Sequence, residues 1–307
     1  MRGLTIALCT RDRPADLARC LRSVTRAAFP RAAGFVHVLI VDDGALAATQ
    51  VEELRALVGP WGARFAHARV TRGRGLFRAR LTARDVAEGE VILFLDDDVE
   101  ISPEYLRRLV ARYAEWPDAA GIGGVDALTR PHRFVRCVFD RVFLFDSGQP
   151  GRLSPSGFSY STRGWIAERA AFRSEYLSGS NMSFRREALR SVAAVAWLEG
   201  YSLGEDVYLS HVAGATGPLW VDPALAVQHH RSAAARVTDR ALAHVTVMNP
   251  YRLLGARNAR WWNYAALGWT LVGLVVKDAV RPHRWRVLPT YARSIWEIVR
   301  DLSAGGR

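Results

Sequence analysis

Val91-Ile92-Leu93-Phe94-Leu95-Asp96-Asp97-Asp98 is a run of five apolar residues that ends in three carboxylates. Its apolar part has the length of a buried strand, and the acids mark where the chain leaves the core for a loop. Residues 4–9, 36–41 and 64–69 predict three earlier strands. Between them the chain reads as helix. Leu17, Cys20, Leu21 and Val24 follow the i, i+3, i+4, i+7 spacing of one helix face, behind a Pro14 suited to a first turn. Further helices are predicted over 45–57 and 76–86, and another after Ser102-Pro103 carries Tyr105, Leu109 and Val110. Strand alternating with helix is how a parallel sheet with crossover helices reads, and such α/β sheets bind ligands at the carboxyl ends of their strands.

From about Pro131 the rhythm breaks. The Gly-, Ser- and Pro-rich stretch 147–164 predicts hairpins and loops rather than more crossover units, and after about His230 the pattern is helical to the end, with Arg and Trp scattered through it.

Half of the 307 residues are hydrophobic, enough for a sizeable core and against disorder. The net charge of +12 comes almost entirely from arginine. It suits phosphate-bearing ligands, anionic membrane surfaces or nucleic acid, and composition does not choose among them. No RNA or DNA signature accompanies the charge, so a nucleic-acid partner is not expected. Cys9, Cys20 and Cys137 are odd in number and widely spaced, which fits neither a disulfide framework nor a zinc site and suits a reducing cytosol. The run 4–9 is too short for an export signal, and 261–276 falls short of the ~20 residues that span a bilayer.

Three carboxylates at one strand end repel one another unless something compensates. A divalent cation does so, and oxygen ligands suit Mg²⁺ or Mn²⁺; the alternative for Asp96, Asp97 and Asp98 is an acidic turn in water. Asp42-Asp43-Gly44 closes the second strand, either as hydrogen-bond acceptors for a base N–H or ribose hydroxyls or as a plain turn. Arg11 and Arg13 follow the first strand, and Arg72, Arg74, Arg78 and Arg80 surround Gly73 and Gly75. Guanidinium groups there match phosphate oxygens. Glu205 and Asp206 sit in the first turn of a predicted helix, as a general base or as a cap. Of His229 and His230, which follow an apolar stretch, one can complete a metal's coordination, or both can be packing residues.

In this order, the pieces resemble the family 2 glycosyltransferases. Ala7-Leu8-Cys9-Thr10-Arg11-Asp12-Arg13-Pro14 is similar to the family's opening strand and nucleotide loop, Ile40-Val41-Asp42-Asp43-Gly44 to its base and ribose contact, and Asp96-Asp97-Asp98 to its Asp-x-Asp metal motif. Gly179-Ser180-Asn181 opens a segment like the family's acceptor side, and Gly204-Glu205-Asp206 is like the Glu-Asp motif whose acid is the catalytic base. Val227-Gln228-His229-His230-Arg231-Ser232 matches Val-x-His-x-x-Ser, which implies His229 as a third metal ligand beside Asp96 and Asp98. The resemblance covers about residues 1–235. The family's Asn-x-Gly and Ala-Arg-Asn are replaced here by Arg-Gly-Arg-Gly and Ala79-Arg80-Leu81, with Arg80 keeping the phosphate-binding position. The Gln-x-x-Arg-Trp of processive synthases is not present, which argues for one sugar per encounter.

What the resemblance implies is a GT-A (Rossmann-like) α/β fold over 1–235, with a nucleotide-sugar half 1–128 and an acceptor half 129–235, followed by a basic helical extension 236–307. The donor is a nucleoside-diphosphate sugar, UDP first with GDP or dTDP as alternatives, bound through Thr10, Arg11, Arg13, Asp42, Asp43, Arg80 and Asp96. The cofactor is Mn²⁺ or Mg²⁺. Transfer is inverting: Asp206, beside Glu205, takes the proton of a hydroxyl on a glycan, lipid-linked or small-molecule acceptor near Gly179, Ser180 and Asn181, in cell-envelope or polysaccharide synthesis. The helix within 257–285 has aromatic and basic flanks and either packs on the catalytic part or lies on an anionic membrane surface, which would make the protein peripheral to the inner face of the plasma membrane. A sugar-phosphate nucleotidyltransferase is the competing enzyme, whose Gly-rich basic loop would stand where Thr10 to Pro14 stand, and a basic nucleic-acid-binding protein, suggested by the charge alone, is the non-enzymatic alternative.

Overall fold

The computed structural model describes residues 1–130, 133–231 and 238–305. The strands are β1 (Leu4–Thr10), β2 (Val36–Asp42), β3 (Arg64–Arg69), β4 (Val91–Asp96), β5 (Val99–Ile101), β6 (Gly121–Asp126), β7 (Phe172–Ser174), β8 (Asn181–Arg185) and β9 (Leu219–His229). The helices are α1 (Pro14–Arg26), α2 (Ala48–Val58), α3 (Leu76–Val86), α4 (Tyr105–Glu115), α5 (Phe134–Val142), α6 (Glu205–Gly214), α7 (Asp239–Ala256), α8 (Trp261–Ala279) and α9 (Leu288–Ser303). The chain divides into two compact units, one of residues 1–130 and 164–235, the other of 131–163 and 236–307. Residues 131–163, expected above within the first part, group with the C-terminal helices.

The first unit is built on one sheet in the order β3-β2-β1-β4-β8-β6-β9-β5, with β7 paired to β9. Strands β3, β2, β1 and β4 are parallel, whereas β8 runs antiparallel between β4 and β6. Every residue of β1 and β2 is buried, as a sheet covered on both faces requires. Leu4, Ile6 and Leu8 join a core with Leu17, Cys20, Leu21 and Val24 of α1 and with residues of α2 and α4, while α3 packs against β1 and β2. The four residues expected on the inner face of the first helix are the four that α1 buries. The three cysteines are free thiols.

No strand occurs over 147–164, against the hairpins expected there. The Ser156 hydroxyl donates to the Leu144 carbonyl at 2.7 Å, Ser154 Oγ bonds the same oxygen, and Ser154 N donates to Phe158 O at 2.9 Å. Backbone groups satisfied this way have no need of a ladder.

In the second unit, α7, α8 and α9 bury Val247, Tyr251, Leu267, Leu271, Leu274, Tyr291 and Ile298 together, with Phe145 and Phe158 completing the cluster.

β6 and β9 approach closely at a register shift between Gly123 and Val125. A Cβ on Gly124 would lie 1.7 Å from the Leu225 carbonyl oxygen and 2.5 Å from Asn181 Nδ2. Gly124→Ala must therefore push β9 aside. It should cost about 1–3 kcal/mol and lower the melting temperature by several degrees in a thermal melt; an unchanged melt would refute this account of the β6–β9 contact.

Candidate functional site

Five chain segments bring polar side chains to one edge of the sheet in the first unit. Thr10 ends β1, Asp42 ends β2, Asp96 ends β4, and β9 ends at His229. Because β8 is antiparallel, it begins at this edge: Leu95 is paired with Asn181, and Asp96 N donates to Ser180 O at 3.3 Å. Strand direction thus puts residues 178–181 beside the aspartates.

The three aspartates do not share a direction. Asp97 accepts from Thr10 Oγ1 at 2.7 Å and from Arg13 Nη1 at 3.3 Å, so it ties the first loop to the end of β4. Burial pushes its carboxyl up to about 6, against the pull of the Thr10 bond and of Arg13. Asp96 and Asp98 converge instead with His229, one ligand atom of each lying within 4.8 Å of the others. His229 Nε2 stands 3.1 Å from Asp98 Oδ1. Burial acts to lower the His229 pKa, but the Asp98 bond and the surrounding carboxylates outweigh it, and the net shift is upward. Two carboxylate oxygens and one imidazole nitrogen this close together can share a divalent cation on bonds of ~2.1 Å. His230 turns the other way, its Nε2 3.0 Å from Glu100 Oε1.

Asp126 is a residue that sequence reading passed over. It accepts from His229 N at 3.3 Å, Thr129 Oγ1 at 2.6 Å and Arg231 Nη2 at 3.0 Å, so it holds the end of β9 in place. Burial would raise its carboxyl, but these bonds keep it low. Asp126 ends an apolar strand just as Asp42 and Asp96 do; the glycines of β6 hid that strand from a periodicity search. Ser232 of the same motif lies outside the described residues.

Beside the trio sits a buried ion cluster. The Arg80 guanidinium, with a side chain only 1% exposed, pairs with Glu205, donates to Asp96 Oδ1 at 3.1 Å and to the Gly179 carbonyl at 2.8 Å. Arg80 was expected to reach a donor phosphate. Its donors instead point at Glu205, Asp96 and Gly179, because α3 projects it inward beneath the edge. Burial pushes the Glu205 and Asp206 carboxyls upward. Asp206, in the first turn of α6, accepts from Gly179 N at 3.1 Å and from Val207 N at 2.9 Å, and the helix N-terminus favours its charged form.

Four other expectations change. Asn181 has no exposed surface, since its amide donates to Leu225 O at 3.1 Å across to β9, so it staples strands and does not meet an acceptor. Asp42 is 1% exposed and accepts from Gly44 N at 2.7 Å and Leu46 N at 3.0 Å, closing its own loop. Asp43 takes Gly75 N at 2.9 Å, linking the β2 end to the loop before α3. Thr10 is likewise buried, with its hydroxyl committed to Asp97, whereas Arg11 remains exposed. Gly179 is half-buried beside Arg80 and Asp206, and Ser180 is buried, its hydroxyl 3.2 Å from that of Ser178.

The likeness to known proteins is consistent with this arrangement. TarS from S. aureus, solved as residues 1–349 with UDP-GlcNAc, superposes with a TM-score of 0.62 at 16% identity, over 97% of this chain and 81% of that one. The mannosyltransferase PcManGT from Pyrobaculum calidifontis, solved with GDP-Man and Mn²⁺, gives 0.53 at 17% identity, over 97% and 80%. Both are likenesses of fold, and the chain has the GT-A fold with C-terminal helices added. A curated relative, the glucosyl-dolichyl phosphate glucuronosyltransferase of Haloferax volcanii, is 28% identical over 122 residues, which span 39% of this chain and 34% of that protein. The model of glycosyl transferase family 2 matches residues 5–192, well over half of the sequence, and the chain belongs to that family of glycosyltransferases.

Proposed function

We propose that this enzyme moves one sugar per encounter from a nucleoside-diphosphate sugar to an acceptor hydroxyl by a direct, inverting displacement. The observation that carries the reading is the junction of the Asp96, Asp98 and His229 trio with the Glu205-Asp206 pair, bridged by one buried arginine that holds Asp96 and Glu205. A Mn²⁺ or Mg²⁺ ion held by the trio would neutralise the charge that grows on the departing nucleoside diphosphate. TarS bound to UDP-GlcNAc and PcManGT bound to GDP-Man support a UDP- or GDP-sugar as donor, and dTDP remains in the same class.

Asp206 is the general base. It is half-buried at the mouth of α6, and the upward push of burial brings its carboxyl toward the basicity that proton abstraction needs. Gly179 N and Val207 N orient it, and Glu205 stays with Arg80. Arg80 is a positioning residue: it fixes Asp96 on one side and the Gly179 turn on the other. Arg11 is exposed at the loop after β1 and suits a donor phosphate, while Arg13 is held by Asp97 and Asp98. Asp97 and Thr10 set the height of the nucleotide loop. The acceptor carries its hydroxyl on a glycan, a lipid-linked glycan or a small molecule of envelope or polysaccharide synthesis. Region 257–285, with tryptophan and arginine flanking an apolar helix, takes an anionic membrane surface as partner, which makes the protein peripheral on the cytoplasmic side.

Asp206→Asn should lower kcat by about 10²–10⁴-fold, the usual worth of a general base, while the thermal shift induced by donor is retained; undiminished turnover would move the base elsewhere. In a panel of UDP-, GDP- and dTDP-sugars, stabilisation by the matching donor should need Mn²⁺ or Mg²⁺ and vanish with EDTA or in Asp98→Ala. Equal stabilisation without metal would sink the cation reading. Arg80→Met should leave Glu205 buried without a partner and cost about 3–5 kcal/mol in chemical denaturation. A loss under 1 kcal/mol would show that the cluster is not held by this cation.

A further inference from the structure

The exposed apolar side chains of this protein are not scattered. Of eighteen large hydrophobic residues left exposed among the described residues, fourteen belong to the second unit. Charge divides the same way. The second unit holds 17 Arg and Lys against 6 Asp and Glu, a formal +11 of the chain's +12, which leaves the first unit nearly neutral. Exposed apolar side chains gathered in one basic unit mark an interaction surface.

A surface helix ordinarily turns polar residues outward, and α8 does the reverse. Its exposed positions include Trp261, Trp269, Val272 and Val276, at helical spacing and without a charge among them. Its opposite face, with Leu267, Leu271 and Leu274, is buried in the unit's core. Helix α5, which sequence reading did not foresee, has the same character. Phe134 is 82% and Val135 79% exposed, with Val138 and Val142 on the same side, while Phe139 packs inward. The two helices are joined: Trp269 Nε1 donates to the Val142 carbonyl at 2.8 Å, and the Phe143 and Trp269 rings stack with centroids 5.1 Å apart. Phe143 also lies where a Cβ on Gly273 would be, so the helices can approach closely. Their apolar faces therefore meet at Val142 and Trp269.

We infer that α5 and α8 form one docking face for a phospholipid bilayer with anionic headgroups, in which α5 drives Phe134 and Val135 into the acyl boundary. This rests on the reading of 257–285 as membrane-contacting and extends it to a helix more than a hundred residues earlier. The occupant follows from charge. A second copy of the chain would bring the same +11 against itself, whereas anionic headgroups complement it. Arg133, Arg141, Arg260 and Arg281 are exposed on these helices or at their ends, where they can meet phosphates. No described helix is long and apolar enough to cross a membrane, and the inner face of α8 is occupied by protein, so α8 lies in the plane of the interface.

The test is co-sedimentation of the full chain with vesicles of phosphatidylcholine, alone or mixed with phosphatidylglycerol. Wild type should pellet with the anionic vesicles. The pair Phe134→Glu and Val135→Glu, and separately the pair Val272→Glu and Val276→Glu, should each weaken binding by roughly tenfold or more, with Phe134→Ala intermediate. Melting temperature and turnover of a water-soluble acceptor should not move, because these side chains are exposed. Loss in the α8 pair with wild-type binding in the α5 pair would overturn the two-helix face and leave the 257–285 reading standing. No pelleting of wild type with anionic vesicles would overturn both. Self-association in sedimentation velocity that the α5 pair abolishes would assign the face to a second copy instead.

Discussion

A guanidinium shut away from water must be neutralised where it lies, and around Arg80 that requirement organises the whole acidic edge of the sheet. Two carboxylates and a carbonyl converge on it from three separate segments: Asp96 from β4, Glu205 from α6 and Gly179 from the turn before β8. Replacing the cluster with apolar residues would remove a desolvation cost, since buried ion pairs seldom add net stability. What the cluster supplies is mutual placement. Asp206 is adjacent in sequence to Glu205 and is bonded to Gly179 N, so fixing the arginine fixes the distance from the Asp96 carboxylate to the residue assigned as base.

The strands and helices of the first half were legible because burial imposed a period on them. Leu17, Cys20, Leu21 and Val24 carry a helical stripe, and 91–95 is apolar on both faces because helices cover both sides of the sheet. The edge that bears the site was legible for the same reason. The direction of each side chain there was not. Asp96, Asp97 and Asp98 look equivalent as letters, yet a tight turn sends Asp97 toward Thr10 while its neighbours converge with His229. Asn181 and Asp42 look exposed because they are polar, but each is buried and consumed by backbone groups, Asn181 by a carbonyl that only the folded topology brings near and Asp42 by the amides of its own loop. Asp126 was hidden by the glycines of β6, and α5 is a short helix whose apolar stripe of Phe134, Val135, Val138 and Val142 faces outward and not into a core.

The two units also divide the physical labour. The first is almost neutral, and the acids at its site edge are matched by cations, Arg13 against Asp97 and Asp98 and Arg80 against Asp96. The second keeps its arginines and tryptophans at the surface around a compact helical core. A composition averaged over the whole chain blurs this contrast, and the net charge alone therefore suggested ligands as different as nucleic acid and lipid.

The antiparallel β8 strand, set between β4 and β6, also constrains when the protein becomes competent during synthesis. Val91 pairs with Arg185, about ninety residues later, and the paired central strands cannot close until that length of chain has left the ribosome. The parallel strands β1 to β4 can associate earlier, with Asp96 and Asp98 already in place, but His229 arrives last of the trio. A nascent chain thus carries an incomplete edge for much of its translation, its aspartates matched only by Arg13 and Arg80, and it gains the His229 imidazole only when the final strand of the sheet is added.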